Sequence, residues 1–167
     1  MDDPPGDGIA VEISDTQRHL RADAAELARL VRNVLAGEGV RRAEVSLVLL
    51  DNSSIHELNR RHLGHDWPTD VIAFRLSEPA DPVLSAEVVV SAEMAAATAR
   101  EAGTDPLDEL ALYVVHGLLH LCGYDDQTAD QRAAMRRREA EVLKREGRTD
   151  TFERVGPVPR EGMSCRK

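Results

Sequence analysis

Apolar residues recur along this chain with two periods, and the alternation between them sketches the fold. Ile9, Val11 and Ile13 alternate with Ala10 and Glu12, the two-residue period of a strand. From Thr16 to Ala36 the period becomes helical, with apolar residues at 20, 24, 27, 28, 31, 34 and 35, and the pattern stops at Gly37. Val45 to Leu50 is a nearly continuous β-branched and leucine run. It ends at Asp51, Asn52 and Ser53, whose oxygens suit the start of a short helix through Arg61. Val71 to Leu76 and Glu87 to Ser91 read as two further strands, and an alanine-rich helix is expected from Ala92 to Ala102, closed by Gly103.

The sharpest start signal comes next. Asp105 can cap a helix, Pro106 fits its first position, Asp108 favours its positive end, and Gly123 marks the stop. Between them, from 106 to 122, leucines, valines and alanines cover most of the circumference, which predicts a buried central helix. A last helix opens with the capping box Thr128 to Gln131 and runs to about Glu146 before Gly147. Its charges, Arg136, Arg137, Arg138, Glu139, Glu141, Lys144 and Arg145, read as a solvated face.

Strands interleaved with helices around one buried helix predict a single α+β domain, with a mixed sheet of about four strands. The domain is expected to span residues 9–148, between a disordered tail at 1–8 and another at 149–167, where no period is visible.

Composition narrows the class of function. At 167 residues with 42% hydrophobic and 31% charged, the chain has the balance of an ordinary globular protein. No apolar run approaches the ~20 residues that span a bilayer, and the acidic start MDDPPGDG is unlike a secretory signal, so no membrane partner and a cytoplasmic location are expected. Cys122 and Cys165 lie far apart and form no CxxC pair, so both are expected as thiols. A net charge of −9 opposes non-specific attraction to a polyanion, and any phosphate contact must come from a local basic patch.

Against that background the end of the central helix is unusual. His116 and His120 stand one turn apart on one face, where both imidazoles can reach one ion. Gly123 then lets the chain turn back, which can bring Asp126 to the same ion as a third ligand, the donor count of a catalytic zinc site. Asp125 is the neighbouring alternative, and either aspartate could instead cap the following helix. The spacing matches the H-E-x-x-H-x-x-G-x-x-H pattern of zinc proteases except at one place. Gly117 stands where those enzymes carry the glutamate base, so the metal frame is present without the protease base. Cys122 falls on another face and is expected in the core, and Glu109, two turns before His116, reads as an ordinary helix carboxylate.

The string His116-Gly-Leu-Leu-His120-Leu-Cys-Gly-Tyr-Asp-Asp126, with Met135 downstream, resembles the signature H-G-x-L-H-L-x-G-Y-D-H of the YbeY family of bacterial endoribonucleases and ribosomal RNA maturation factors. Leu58-Asn59, then Asp66-Trp-Pro-Thr69-Asp70-Val71-Ile-Ala-Phe74, is similar to a second block of that family, and Glu87 to Ser91 to a third. The likeness covers roughly residues 9–146. Here Asp126 takes the place of the third histidine, and His62-Leu63 that of an aromatic-arginine pair, which leaves Arg60 and Arg61 as the nearest cations.

The resemblance implies one zinc per chain on His116, His120 and Asp126. It also implies single-stranded RNA as substrate, action on ribosomal RNA at the 3′ end of the small subunit, and the small ribosomal subunit as partner. Arg60 and Arg61 are the expected substrate-binding residues. Asp70 could act as a base or simply shape the turn before its strand, and Trp67 could stack on a base or pack as wall. The competing functions are a zinc-dependent hydrolase of peptides or small substrates and a non-catalytic ribosome-associated zinc protein.

Overall fold

The computed structural model describes residues 8–63 and 70–151. Its four strands, β1 (Gly8–Asp15), β2 (Arg42–Leu50), β3 (Val71–Arg75) and β4 (Leu84–Ser91), form one sheet in the order β1-β2-β4-β3. The first two pairings are parallel and the last is antiparallel, so the sheet is mixed as expected. Five helices complete the described fold: α1 (Ala24–Gly37), α2 (Asn52–Leu63), α3 (Ala92–Ala102), α4 (Pro106–Leu121) and α5 (Ala129–Arg145).

Strand alternation divides the apolar residues between two faces of the sheet. Val45, Leu47, Leu49, Val71, Ala73, Ala86, Val88 and Val90 join the large core with α1, α4 and α5. Ile72 and Val89 point the other way, where they meet Ile55 of α2 in a small second cluster flanked by Val48, Leu50, Leu58 and Phe74.

The cap residues fall where their chemistry puts them. Asp105 accepts from Leu107 N–H at the start of α4, and Thr128 and Gln131 form the full capping box of α5. Ser91 caps α3, which ends at Gly103 in the left-handed region.

One boundary differs from the sequence reading. The helix expected from Thr16 begins only at Ala24, because Asp23 takes extended backbone and accepts from Ala25 and Glu26 N–H. Before it, Gln17 closes a local turn, its Oε1 accepting from His19 and Leu20 N–H. Leu20 and Ala22 still pack on the core, which is why their spacing looks helical. Gly8 pairs with Arg42, and Asp150 and Thr151 make buried contacts described below, so the described fold includes residues that the sequence assigns to the tails.

Candidate metal centre

Helix α4 lies on the sheet with its glycine inward. A Cβ at Gly117 would come within 3.0 Å of Val71 Cγ2 and of Val88 Cγ1, so the absent side chain is what lets this helix approach β3 and β4. Position 117 therefore faces packed valines, and a glutamate there would meet apolar strands rather than any ion.

His116 and His120 project from the same helix with ring centroids 4.8 Å apart. At the helix end, Gly123 takes φ 104°, and Tyr124 N–H returns to Leu119 O at 3.1 Å. That turn delivers Asp126, whose Oδ2 lies 3.4 Å from His120 Nε2 and 3.7 Å from His116 Nε2. One ligand atom from each of the three residues lies within 4.8 Å of the others. Donors about 2.1 Å from a shared tetrahedral ion would stand about 3.4 Å apart, so the spacing suits a metal. Both Nε2 atoms are buried and make no hydrogen bond. Orphaned ring nitrogens aimed at one carboxylate oxygen are costly unless a cation completes them.

Asp126 is the expected third member, and Asp125 has a different task, its Oδ1 accepting from Asp126 N–H at 2.9 Å. Thr128, not either aspartate, caps α5. Burial, reinforced by the nearby His116, pushes His120 below the usual histidine range, which keeps the ring neutral as a metal ligand must be.

Sequence reasoning missed what stands behind His116. Glu139, expected on a solvated face, is buried, and its Oε2 lies 3.5 Å from His116 Nδ1. Burial alone would raise this carboxyl, but His116 and Arg136 outweigh that and hold it low, so it stands as a carboxylate. Arg136 donates to both Glu139 oxygens, at 2.8 and 3.1 Å, and to both oxygens of Asp150, at 3.0 and 2.9 Å. The signal was present: Met135, Glu139, Val142 and Leu143 share one helical stripe, and all four are buried. Glu109, expected as an ordinary helix carboxylate, is likewise buried and accepts from Thr151 Oγ1.

Cys122 is half-buried against the core as expected, and burial pushes its thiol up to about 11. Asp70 is buried at the start of β3, where its carbonyl accepts from Ser91 N–H, and it does not join the cluster. Arg60 and Arg61 stand on α2, whose apolar side covers the opposite face of the sheet. Arg60 grips Glu57 at 2.7 Å and Arg61 approaches it at 4.0 Å, and their side chains are 57% and 70% exposed. Trp67 and the side chains of His62 and Leu63 lie outside the described residues.

Comparison with known proteins gives the chain a family. The family model described as endoribonuclease YbeY matches residues 12–147. A Rhodopirellula baltica protein named endoribonuclease YbeY is 44% identical over 128 residues, which cover 75% of this chain and 65% of that relative. Another of the same name from Pelotomaculum thermopropionicum is 42% identical over 148 residues, covering 82% of this chain and 97% of the relative. The solution structure of TM1509 from Thermotoga maritima shares the fold at a TM-score of 0.55 and 24% identity, covering 86% of this chain and 97% of its own. With its matched segment running from within β1 to just past the end of α5, the chain belongs to the endoribonuclease YbeY family.

Proposed function

We propose that this nuclease cuts single-stranded RNA internally, at a single zinc centre formed by His116, His120 and Asp126, and that its work is the maturation of ribosomal RNA at the 3′ end of the small subunit. Family membership carries the reaction class, hydrolysis by an endoribonuclease. The observation that carries the site is the convergence of two orphaned Nε2 atoms on Asp126 Oδ2.

When bound, zinc would polarise a phosphoryl oxygen and make a coordinated water acidic enough to act near neutral pH. The protein's own contribution is to prepare the donors. Helix α4 fixes the two rings one turn apart, and the Glu139 carboxylate, 3.5 Å from His116 Nδ1, favours the proton on that nitrogen and so leaves Nε2 its lone pair. Asp126, with its side chain 33% exposed, forms the solvent-facing side of the cluster, where a substrate can arrive. Arg60 and Arg61 offer an outer contact for the RNA backbone, with Glu57 offsetting part of their charge. The small ribosomal subunit is the partner and the cytoplasm the site of action in this reading. No described helix is long and apolar enough to cross a membrane.

The reading as a peptide hydrolase is disfavoured by Gly117, which faces the sheet where a protease base would be needed. Incubating the protein with single-stranded RNA and with peptides, each with and without chelator, tests the proposal. Internal RNA cleavage that chelator abolishes and zinc restores is expected. Peptide cleavage, or RNA cleavage indifferent to chelator, would overturn it, and zinc binding without either activity would leave a ribosome-associated zinc protein.

A further inference from the structure

We infer that Arg75 and Arg132 grip the RNA backbone on the two sides of the His116, His120 and Asp126 cluster. This rests on the ribonuclease reading and gives the strand a path across the site. Alternation along β3 puts Arg75 on the α4 face, after Val71 and Ala73. Its Nη1 donates to Leu121 O at 3.4 Å, beside His120, and its buried Nε makes no hydrogen bond. Arg75 and His120 open into one cavity of about 410 Å³ at the end of α4. Beyond the Gly123 turn, Arg132 reaches back from the first turns of α5 to Asp126 O at 3.3 Å and Gln127 O at 3.4 Å.

Their place beside the cluster is matched by their charge. Both donate long bonds to neutral carbonyls, and among the described residues neither forms an ion pair with a carboxylate. On α5, Arg136 is committed to Glu139 and Asp150, and Arg138 to Glu38 and Glu141. Glu38 also lines the cavity, but Arg138 Nε sits 2.5 Å from its oxygen and offsets it. A guanidinium has five N–H donors in a fork that fits phosphate, so one weak bond leaves most of that capacity unused. In a chain of net charge −9, uncompensated cations beside the reacting centre are what can hold a polyanion there.

The test is equilibrium binding of the zinc-loaded full chain to a cleavage-resistant 2′-O-methyl phosphorothioate oligonucleotide, across a range of salt. Glutamine is the substitution of choice, because its amide can still donate to Leu121 O or Asp126 O while the charge is removed. Arg75→Gln and Arg132→Gln should each flatten the dependence of log K on log salt by about 0.7, and the double variant by about 1.4. Zinc content should be unchanged, and Arg75→Lys should retain the slope. Arg132 is on the surface, so its variant reads the charge even if Arg75→Gln folds poorly. A double variant with the parent's slope would overturn the inference and leave Arg75 as a helix cap and Arg132 as a loop brace. A parent that binds no oligonucleotide would instead overturn the ribonuclease reading, and the strand path with it.

Discussion

The two faces of the sheet are built to different rules. Toward α4 and α5 the face is a large core that tolerates buried ionisable groups at defined points: His116, His120, Glu109 and Glu139 are all buried on that side. Toward α2 the cluster is small, and the arginines beyond it, Arg60 and Arg61, stand in solvent against one glutamate. A buried ionisable group persists only if its partners are fixed, whereas an exposed pair gains little from geometry. Precision is therefore expected on the α4 face and tolerance on the α2 face.

The strongest way to break this contrast is Gly117→Glu. It forces a carboxylate between Val71 and Val88 and is expected to destabilise the fold by at least about 3 kcal/mol, read by denaturant unfolding. Second in size is His120→Ala, which should weaken zinc affinity more than the ~100-fold attainable by losing an outer partner, measured by competition with a chelator. Asp126→His should keep the metal, since imidazole and carboxylate bind zinc at similar distances. Third comes Glu139→Gln, expected to lower zinc affinity about 10–100-fold while all three ligands remain. Replacing Arg60 and Arg61 together by alanine should change stability by less than about 1 kcal/mol and leave zinc content alone, which a thermal melt and metal analysis check.

The pH response of Cys122 is confined to alkaline conditions. Burial raises its folded value from 9.0 to about 11, so the stability tied to this thiol is fully present below pH 9 and is lost as pH rises through 11. In a Cys165→Ser background, alkylation of the native protein should stay slow at pH 9, and fast labelling there would show an open site.

What the sequence made legible follows from how local each cause is. Caps act within one turn, so Asp105, Thr128 and Gly103 marked their helices well. The pairing of His116 with His120 is also local, as is the turn at Gly123 that returns Asp126. The start of α1 was misread because Leu20 and Ala22 reach the core from a turn, and periodicity records burial rather than backbone conformation. Glu139 was hidden for a different reason. Its charge matches its neighbours on α5, and only the distant His116 and Asp150 explain why it is inside. Arg75 shows the same limit, since its place beside Leu121 depends on how β3 and α4 pack.

The chain of contacts from His116 through Glu139 and Arg136 ends at Asp150, and Thr151 beside it holds Glu109. Residues remote in sequence from His116, His120 and Asp126 thus act as the far anchor of the proposed metal site. A premature stop at position 149 would spare His116, His120, Asp126 and every described helix and strand, yet would take Asp150 from Arg136 and Thr151 from Glu109. Such a lesion would look like a trimmed terminus on a gel and behave as a metal-binding defect in solution.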